Sequence, residues 1–460
     1  MCQSPLQYWA LMSPDCLALM APSRQYTWSE LHQVVQSCAY TLAEQGVKSS
    51  SVVTCVGKNS AELLMVYLAC MELGAVCAVT MPQPQSSLRD KLRALYRDGE
   101  QQYVWSLEPC QVDATVYLDF NALQQPCNLQ QSYKADALTS IIFTSGSMGQ
   151  PKAVAHTNAQ HFASAQGLLE CFQFTANDTW LLSLPLYHVS GLAIVYRWLQ
   201  AGGSLKVGTG DLLQDIQNVS HASLVATQLS RLLEANISLH LTHVLLGGSH
   251  VPLVLSQQAA AKGIETWLGY GMTEAASTVS AKRIDANYSA GKVLPNRQVE
   301  LRQGRIFIAG QTLASGYYQQ GEVTPILDRQ GWFDSKDLGY WLDNGELVIQ
   351  GRADNQFISG GENIHCEEIE QVINAHPEVQ LSMIVAVADA QYGARPIAFI
   401  STPKPVDEID LSSWLNERLV RFKHPKHYFS LPESLLTSGI KVSRSELKRW
   451  VLAHTDFEVI

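Results

Sequence analysis

The residues whose types and spacing carry chemistry begin where Ile141-Ile142-Phe143 runs into Thr144-Ser145-Gly146-Ser147-Met148-Gly149-Gln150-Pro151-Lys152. An apolar strand that empties into glycines, hydroxyls and one lysine suits a phosphate. Glycines let backbone N–H groups approach an anion, hydroxyls donate further hydrogen bonds, and the ammonium offsets the charge. The spacing is neither a Walker A loop nor G-x-G-x-x-G. Further on, Tyr270-Gly271-Met272-Thr273-Glu274 sets one carboxylate after a short strand. That donor fits Mg2+, a hard ion that takes one or two carboxylates together with phosphate oxygens and water. The segment Gly331-Trp332-Phe333-Asp334-Ser335-Lys336-Asp337 and the later Gly351-Arg352-Ala353-Asp354 add acceptor-only carboxylates and a guanidinium, groups suited to sugar hydroxyls and phosphate.

Three other features bear on a second ligand. Leu184-Pro185-Leu186-Tyr187-His188-Val189-Ser190-Gly191 holds an imidazole, which taken alone is more often a plain hydrogen-bonding residue than a reactive one. Arg197 stands in the otherwise apolar run 191–199. A buried guanidinium there is costly unless it meets an anion; the alternative is that it snorkels to the helix surface or pairs with an internal acid. Gly439-Ile440-Lys441-Val442-Ser443-Arg444, near the end of the sequence, offers one more lysine. Lys448 reads as part of a solvated helix face.

The elements that must position these groups alternate between strand and helix. Residues 51–56, 60–73 and 76–81 read as β-α-β, and strands recur at 138–143, 244–246, 266–268, 305–309 and 346–349 with helices at 158–171 and 223–235. The fold class is α/β. Beyond Gly351 the texture changes: a helix is expected at 367–375, strands at 382–387 and 396–400, and a helix at 412–420. A last helix opens on Ser443-Arg444-Ser445-Glu446, which matches a capping box. The 460 residues, 46% hydrophobic and 16% charged, exceed one compact unit. A formal charge of −10 argues against non-specific nucleic-acid or membrane-surface binding. The most apolar window, 63–81, contains Glu72 and Gly74, so it reads as a buried helix running into a buried strand and no membrane insertion is expected. Ten scattered cysteines without a C-x-x-C pair suit the reduced thiols of a cytoplasmic protein. Residues 1–11 lack the basic and apolar pattern of a secretory leader.

The run from Thr144 to Lys152 resembles the T-S-G-S-T-G-x-P-K signature of the adenylate-forming acyl-CoA synthetases, a family that includes luciferases and peptide-synthetase adenylation domains. The His188, Tyr270–Glu274, Asp337–Arg352 and Lys441 segments follow in the family's order. The resemblance implies a large multi-layer α/β N-terminal domain, 1–353, and a smaller mobile α+β domain, 354–460, that carries Lys441 and turns about Asp354. It implies ATP and coenzyme A as co-substrates with Mg2+ held by Glu274 and Thr144. ATP would meet Thr144, Ser145, Gly146, Ser147, Gly149, Lys152, Gly248, Tyr270, Gly271, Met272, Thr273, Asp337 and Arg352. The acid would meet His188, Arg197 and Ser249, coenzyme A would pass Gly360 and Gly361, and Lys441 would stabilise the adenylation transition state. Met148 in place of a hydroxyl residue and Lys336 in place of glycine depart from the family pattern. The stretches 164–167, 180–186 and 225–233 look most like the branch that activates o-succinylbenzoate, an aromatic acid with two carboxylates, for menaquinone synthesis. Other readings are a ligase for another aryl or medium-chain acid, a stand-alone adenylation domain, and a non-enzymatic nucleotide-binding module. The partners are small molecules, and a homo-oligomer is compatible with the sequence.

Overall fold

The computed structural model describes residues 3–108, 112, 115–119, 133–144, 152–235, 237–247, 251–436 and 442–460. A mixed α/β chain divides its cores along the sequence. The apolar clusters that hold residues from Leu6 to Ile349 share no member with the two clusters built from Phe357 to Val459. A large N-terminal portion is thus followed by a smaller C-terminal one.

Two large sheets form the N-terminal portion. In one, Lys152–Thr157, Leu138–Thr144, Val76–Thr80, Val52–Val56 and Gln102–Ser106 lie side by side; only Lys152–Thr157 runs antiparallel to its neighbour in this stretch. The helix Ala61–Leu73 opens on Ser60, whose side chain accepts from Leu63 N. Every residue in it except Glu62 is buried, as are all five residues of Val76–Thr80, so the window 63–81 is interior on all sides. The second sheet sets Glu265–Met272 between His243–Gly247 and the antiparallel Ser277–Arg283. Four antiparallel strands, Arg297–Arg302, Arg305–Gly310, Phe333–Trp341 and Leu347–Arg352, complete the portion. In the C-terminal part the helix Cys366–Asn374 packs on the strand Leu381–Asp389, which pairs in turn with Gly393–Ser401. Among the described residues no helix is long and apolar enough to cross a membrane.

Three sequence expectations shift. The helix expected from 223 starts at Ala226, because Ser223 and Leu224 belong to the buried strand His221–Leu224 and Val225 is the extended residue that caps the helix. The helix expected over 412–420 is Leu411–Asn416; Leu419 N still reaches Leu415 O, but the chain passes on in turns. The last helix, Arg444–His454, begins where the sequence places it, yet Ser443 makes no side-chain cap and its hydroxyl meets that of Ser445 at 2.6 Å.

Candidate active site

The C-terminal ends of the strands gather most of the chemistry. Thr144 ends Leu138–Thr144 and is register-paired with Lys152, the first residue of the next strand, so this hairpin holds the two ends of the glycine loop side by side. Lys152 Nζ stands 4.8 Å from the centre of the Tyr317 ring, a cation–π contact, and Tyr317 Oη donates to Glu274 Oε1 at 3.2 Å. The Lys152 ammonium and the Glu274 carboxylate therefore share one tyrosine. Burial and then Glu274 push the Tyr317 hydroxyl well up, so it stays a donor. Sequence reasoning did not single out Tyr317. Among the described residues no group of three His, Cys, Asp or Glu side chains could hold a metal alone. The Glu274 carboxylate and a hydroxyl such as that of Thr144 are donors of the kind that Mg2+ takes together with phosphate oxygens and water.

Glu274 lies on the short 3-10 turn Thr273–Ala275, directly after the strand that carries Tyr270, Gly271 and Met272. A Cβ on Gly271 would stand 1.7 Å from the Ser277 carbonyl, so only glycine allows the strand to double back there. Tyr270 Oη donates to Asp337 Oδ2 at 2.5 Å, and Arg352 reaches Asp337 Oδ1 at 3.4 Å while gripping Asp354 through Nε and Nη2 at 2.8 and 3.0 Å. Hydrogen bonding from Arg352 holds the Asp354 carboxyl below its usual range. Asp337 is thus fixed from two sides, on the strand Phe333–Trp341 that lies between Arg305–Gly310 and Leu347–Arg352. Lys336, just before it, has φ 62°, the left-handed conformation that glycine adopts most easily, so the lysine that departs from the family's glycine here carries a steric cost.

His188 is the extended residue before the buried helix Val189–Ala201 and makes no side-chain cap. Asn59 aims it: its amide donates to Leu182 O and Leu184 O and accepts from Leu186 N, all within 3.0 Å. Burial, then the nearby Lys91, lowers the His188 imidazole below its ordinary value, so it is neutral at pH 7. Lys91, absent from the sequence reading because its helix Gln85–Leu95 looks solvated, contacts Thr80 Oγ1 and lies over Phe143 at 5.0 Å; burial brings it down to about 8.

Arg197 is 2% exposed. Its Nη2 donates to Thr278 Oγ1 at 3.1 Å, its guanidinium lies 5.5 Å from the centre of the Trp180 ring, and its Nε has no partner among the described residues. It does not snorkel to the surface, and no described carboxylate pairs with it. Burial and then the neighbouring Arg297 bring it down to about 9, still charged at pH 7. Gly360 and Gly361, with φ 59° and 89°, form the two-residue turn between Ser359 and Glu362, the conformation of a tight hairpin. Arg444 is bound inside the C-terminal part by Glu367 and Glu370. Lys441, Ser145, Gly146, Ser147, Met148, Gly149, Gly248 and Ser249 lie outside the described residues.

The chain is similar to known proteins over nearly its whole length. Residues 6–318 match the model of the AMP-binding enzyme family, and 368–439 that of the AMP-binding enzyme C-terminal domain. A 2-succinylbenzoate–CoA ligase of Salmonella typhimurium is 38% identical over 455 residues, 97% of each chain. An Escherichia coli MenE variant solved with bound OSB-AMS superposes with TM-score 0.91 at 37% identity, covering 98% of both chains. Bacillus subtilis o-succinylbenzoate coenzyme A synthetase in complex with ATP and magnesium gives TM-score 0.82 at 26% identity, over 93% of this chain and 95% of that one.

Proposed function

The chain belongs to the AMP-binding enzyme family, and from that premise we propose that it is an acid–CoA ligase that converts 2-succinylbenzoate to 2-succinylbenzoyl-CoA for menaquinone synthesis, at the expense of ATP. A carboxylate oxygen of the acid attacks the α-phosphorus of ATP and pyrophosphate leaves. The sulfur of coenzyme A then attacks the acyl carbon, its proton passes to solvent, and AMP departs with the bonding electron pair. Such chemistry needs positioning and charge stabilisation rather than a protein nucleophile.

The roles of the residues are those that the family resemblance implies. Lys152 and the backbone of 145–149 hold the phosphates, and Gly248 joins them on the nucleotide side. Tyr270 with Gly271, Met272 and Thr273 forms the adenine wall. Asp337, steadied by Tyr270 and Arg352, accepts from the ribose hydroxyls. Glu274 and Thr144 would hold Mg2+, which when bound neutralises phosphate charge. Lys441 would enter from the domain 354–460, which turns about Asp354 and then presents Gly360 and Gly361 to coenzyme A. His188 and Ser249 border the acid, and Arg197 takes its ring carboxylate. The compartment is the cytoplasm.

The observation that carries the substrate assignment is the charged, interior Arg197 with no described carboxylate beside it, because 2-succinylbenzoate keeps one carboxylate after the other is activated. ATP–pyrophosphate exchange over a panel of aryl and medium-chain acids tests it: 2-succinylbenzoate should exchange best. Exchange with another acid but not with this one would overturn the substrate and leave the reaction type. No exchange with any acid would favour a nucleotide-binding module.

A further inference from the structure

A second interior guanidinium is linked to the first through Ser164 and the turn 276–278. Arg297, 6% exposed, starts the strand Arg297–Arg302 and reaches back to the helix Asn158–Leu169. Its Nη1 donates to Pro295 O at 2.7 Å, and its Nη2 to Ser164 O at 2.9 Å and Ser164 Oγ at 2.8 Å. Its Nε is unpartnered among the described residues, and no described carboxylate pairs with it. Ser164 Oγ in turn donates to Ala276 O at 2.5 Å. Ala276 and Ser277 both hold positive φ, 50° and 94°, conformations that non-glycine residues keep only when their surroundings impose them. The next residue is Thr278, the hydrogen-bond partner of Arg197. The stretch Ser164-Ala165-Gln166-Gly167 also closes this arrangement from the helix side: a Cβ on Gly167 would stand 2.2 Å from Arg297 Nη1 and 2.4 Å from the Pro295 carbonyl.

We propose that Arg297 is a positioning residue for the acyl pocket: through Ser164 and Ala276 it fixes the turn that seats Thr278, and its uncompensated interior charge biases the Arg197 guanidinium toward an anionic ligand. The inference rests on the reading that Arg197 takes the ring carboxylate. Two interior cations without a described acid are costly to the ligand-free protein, and an anion arriving at Arg197 offsets the cost of both. The neutral hydroxyl and carbonyl contacts fix the geometry of Arg297 while leaving its charge uncompensated. A positively charged strut therefore does something that an apolar residue of the same size would not.

The test compares 2-succinylbenzoate with 3-benzoylpropionate, which has the same keto-acid chain without the ring carboxylate, in coenzyme A thioester formation. Arg297→Met should raise KM for 2-succinylbenzoate about tenfold while leaving KM for ATP and kcat/KM for 3-benzoylpropionate unchanged. In an Arg197→Met background the second substitution should add no further loss, since the two act as one unit. Equal losses on both acids, or full additivity, would make Arg297 an ordinary core residue and overturn the proposal. If Arg297→Met does not fold, Arg297→Lys and Ser164→Ala decide. Each should show a smaller loss confined to 2-succinylbenzoate, and unaltered selectivity in both would be fatal. If Arg197→Met itself treats the two acids alike, the ring-carboxylate reading falls and this inference with it. If Arg197→Met discriminates and Arg297→Met does not, only the inference falls.

Discussion

Arg197 and Arg352 are the two arginines to which ligand roles are proposed, and the protein treats them oppositely. Arg352 is partly exposed and makes contact with two carboxylates, Asp337 and Asp354, whose hydrogen bonds and charge push it above its ordinary value. Arg197 is interior, has one neutral hydroxyl partner, and is lowered by burial and by the charge of Arg297. The difference separates two kinds of recognition. Around Arg352 the charges balance within the protein, so what is offered to a ligand is a carboxylate held in a fixed orientation for neutral hydroxyls. Around Arg197 the balance is left open, so the ligand must supply the missing charge.

The most direct way to break this contrast is Arg197→Met. Losing the cation opposite a buried carboxylate costs about 3 kcal/mol or more, about a hundredfold in KM for 2-succinylbenzoate. The KM for ATP should hardly move. The ligand-free variant should also melt higher than the parent, because an uncompensated interior charge has gone. A variant that melts lower, with similar KM values for the acid, would mean that the charge is balanced after all.

The contrast extends to cations that can shed their proton. His156 and His161 lie fully buried 4.8 Å apart next to the glycine-loop hairpin; burial lowers His156 to about 4 and, with His156 beside it, holds His161 well below its ordinary value. Both are neutral at pH 7, an escape that arginine lacks. Their folded values lie under the unfolded value of about 6.5, so the stability they confer is complete above that pH and is lost as pH falls toward 4. By pH 5 His156 alone should cost about 2 kcal/mol, read as a fall in the urea midpoint between pH 7 and pH 5. A flat profile over that window would mean that the pair takes up protons in the interior without penalty.

On the Arg352 side, Asp337→Asn should have a smaller effect. The amide still accepts from a hydroxyl, but Tyr270 loses a charged acceptor and Arg352 one of its two partners, so KM for ATP should rise about tenfold, near 1.4 kcal/mol. The KM for the acid should stay within twofold. A larger effect on the acid than on ATP would dissolve the division between the two regions.

Much of this was legible in the sequence because strands and loops place contiguous residues together. Thr144 and Lys152, or Tyr270 and Glu274, are close in space because they are close in sequence, and the α/β alternation followed from apolar periodicity. What escaped were partners from distant segments: Asn59 holding the backbone just before His188, Tyr317 between Lys152 and Glu274, and Arg297 linked through Ser164 to the turn beside Arg197. Each is an unremarkable polar residue in its own stretch, and only the topology makes it a neighbour. The expected capping box failed for a local reason. Ser443 and Ser445 satisfy one another, and a side-chain alternative of this kind competes with the backbone.

The smallest expected effect concerns the one residue beside Asp337 that is strained. Lys336 at φ 62° pays for a turn in which its own N–H meets Asp334 Oδ1 and the Asp337 N–H meets Ser335 Oγ, each at 3.0 Å. That turn aims Asp337 at Tyr270. Lys336→Gly removes a steric cost of about 1–2 kcal/mol but gives the unfolded chain back about 0.5–1 kcal/mol of freedom. The net gain should be about 0.5–1 kcal/mol, a rise in Tm of about 2 °C, with kcat and both KM values unchanged. The opposing term is electrostatic: the ammonium of Lys336 helps hold the Asp354 carboxyl low, after the stronger hold of Arg352. A fall in Tm on Lys336→Gly would therefore mean that this exposed charge outweighs the strain. The balance around Arg352 would then extend one residue further than the Arg352–Asp337–Asp354 contacts.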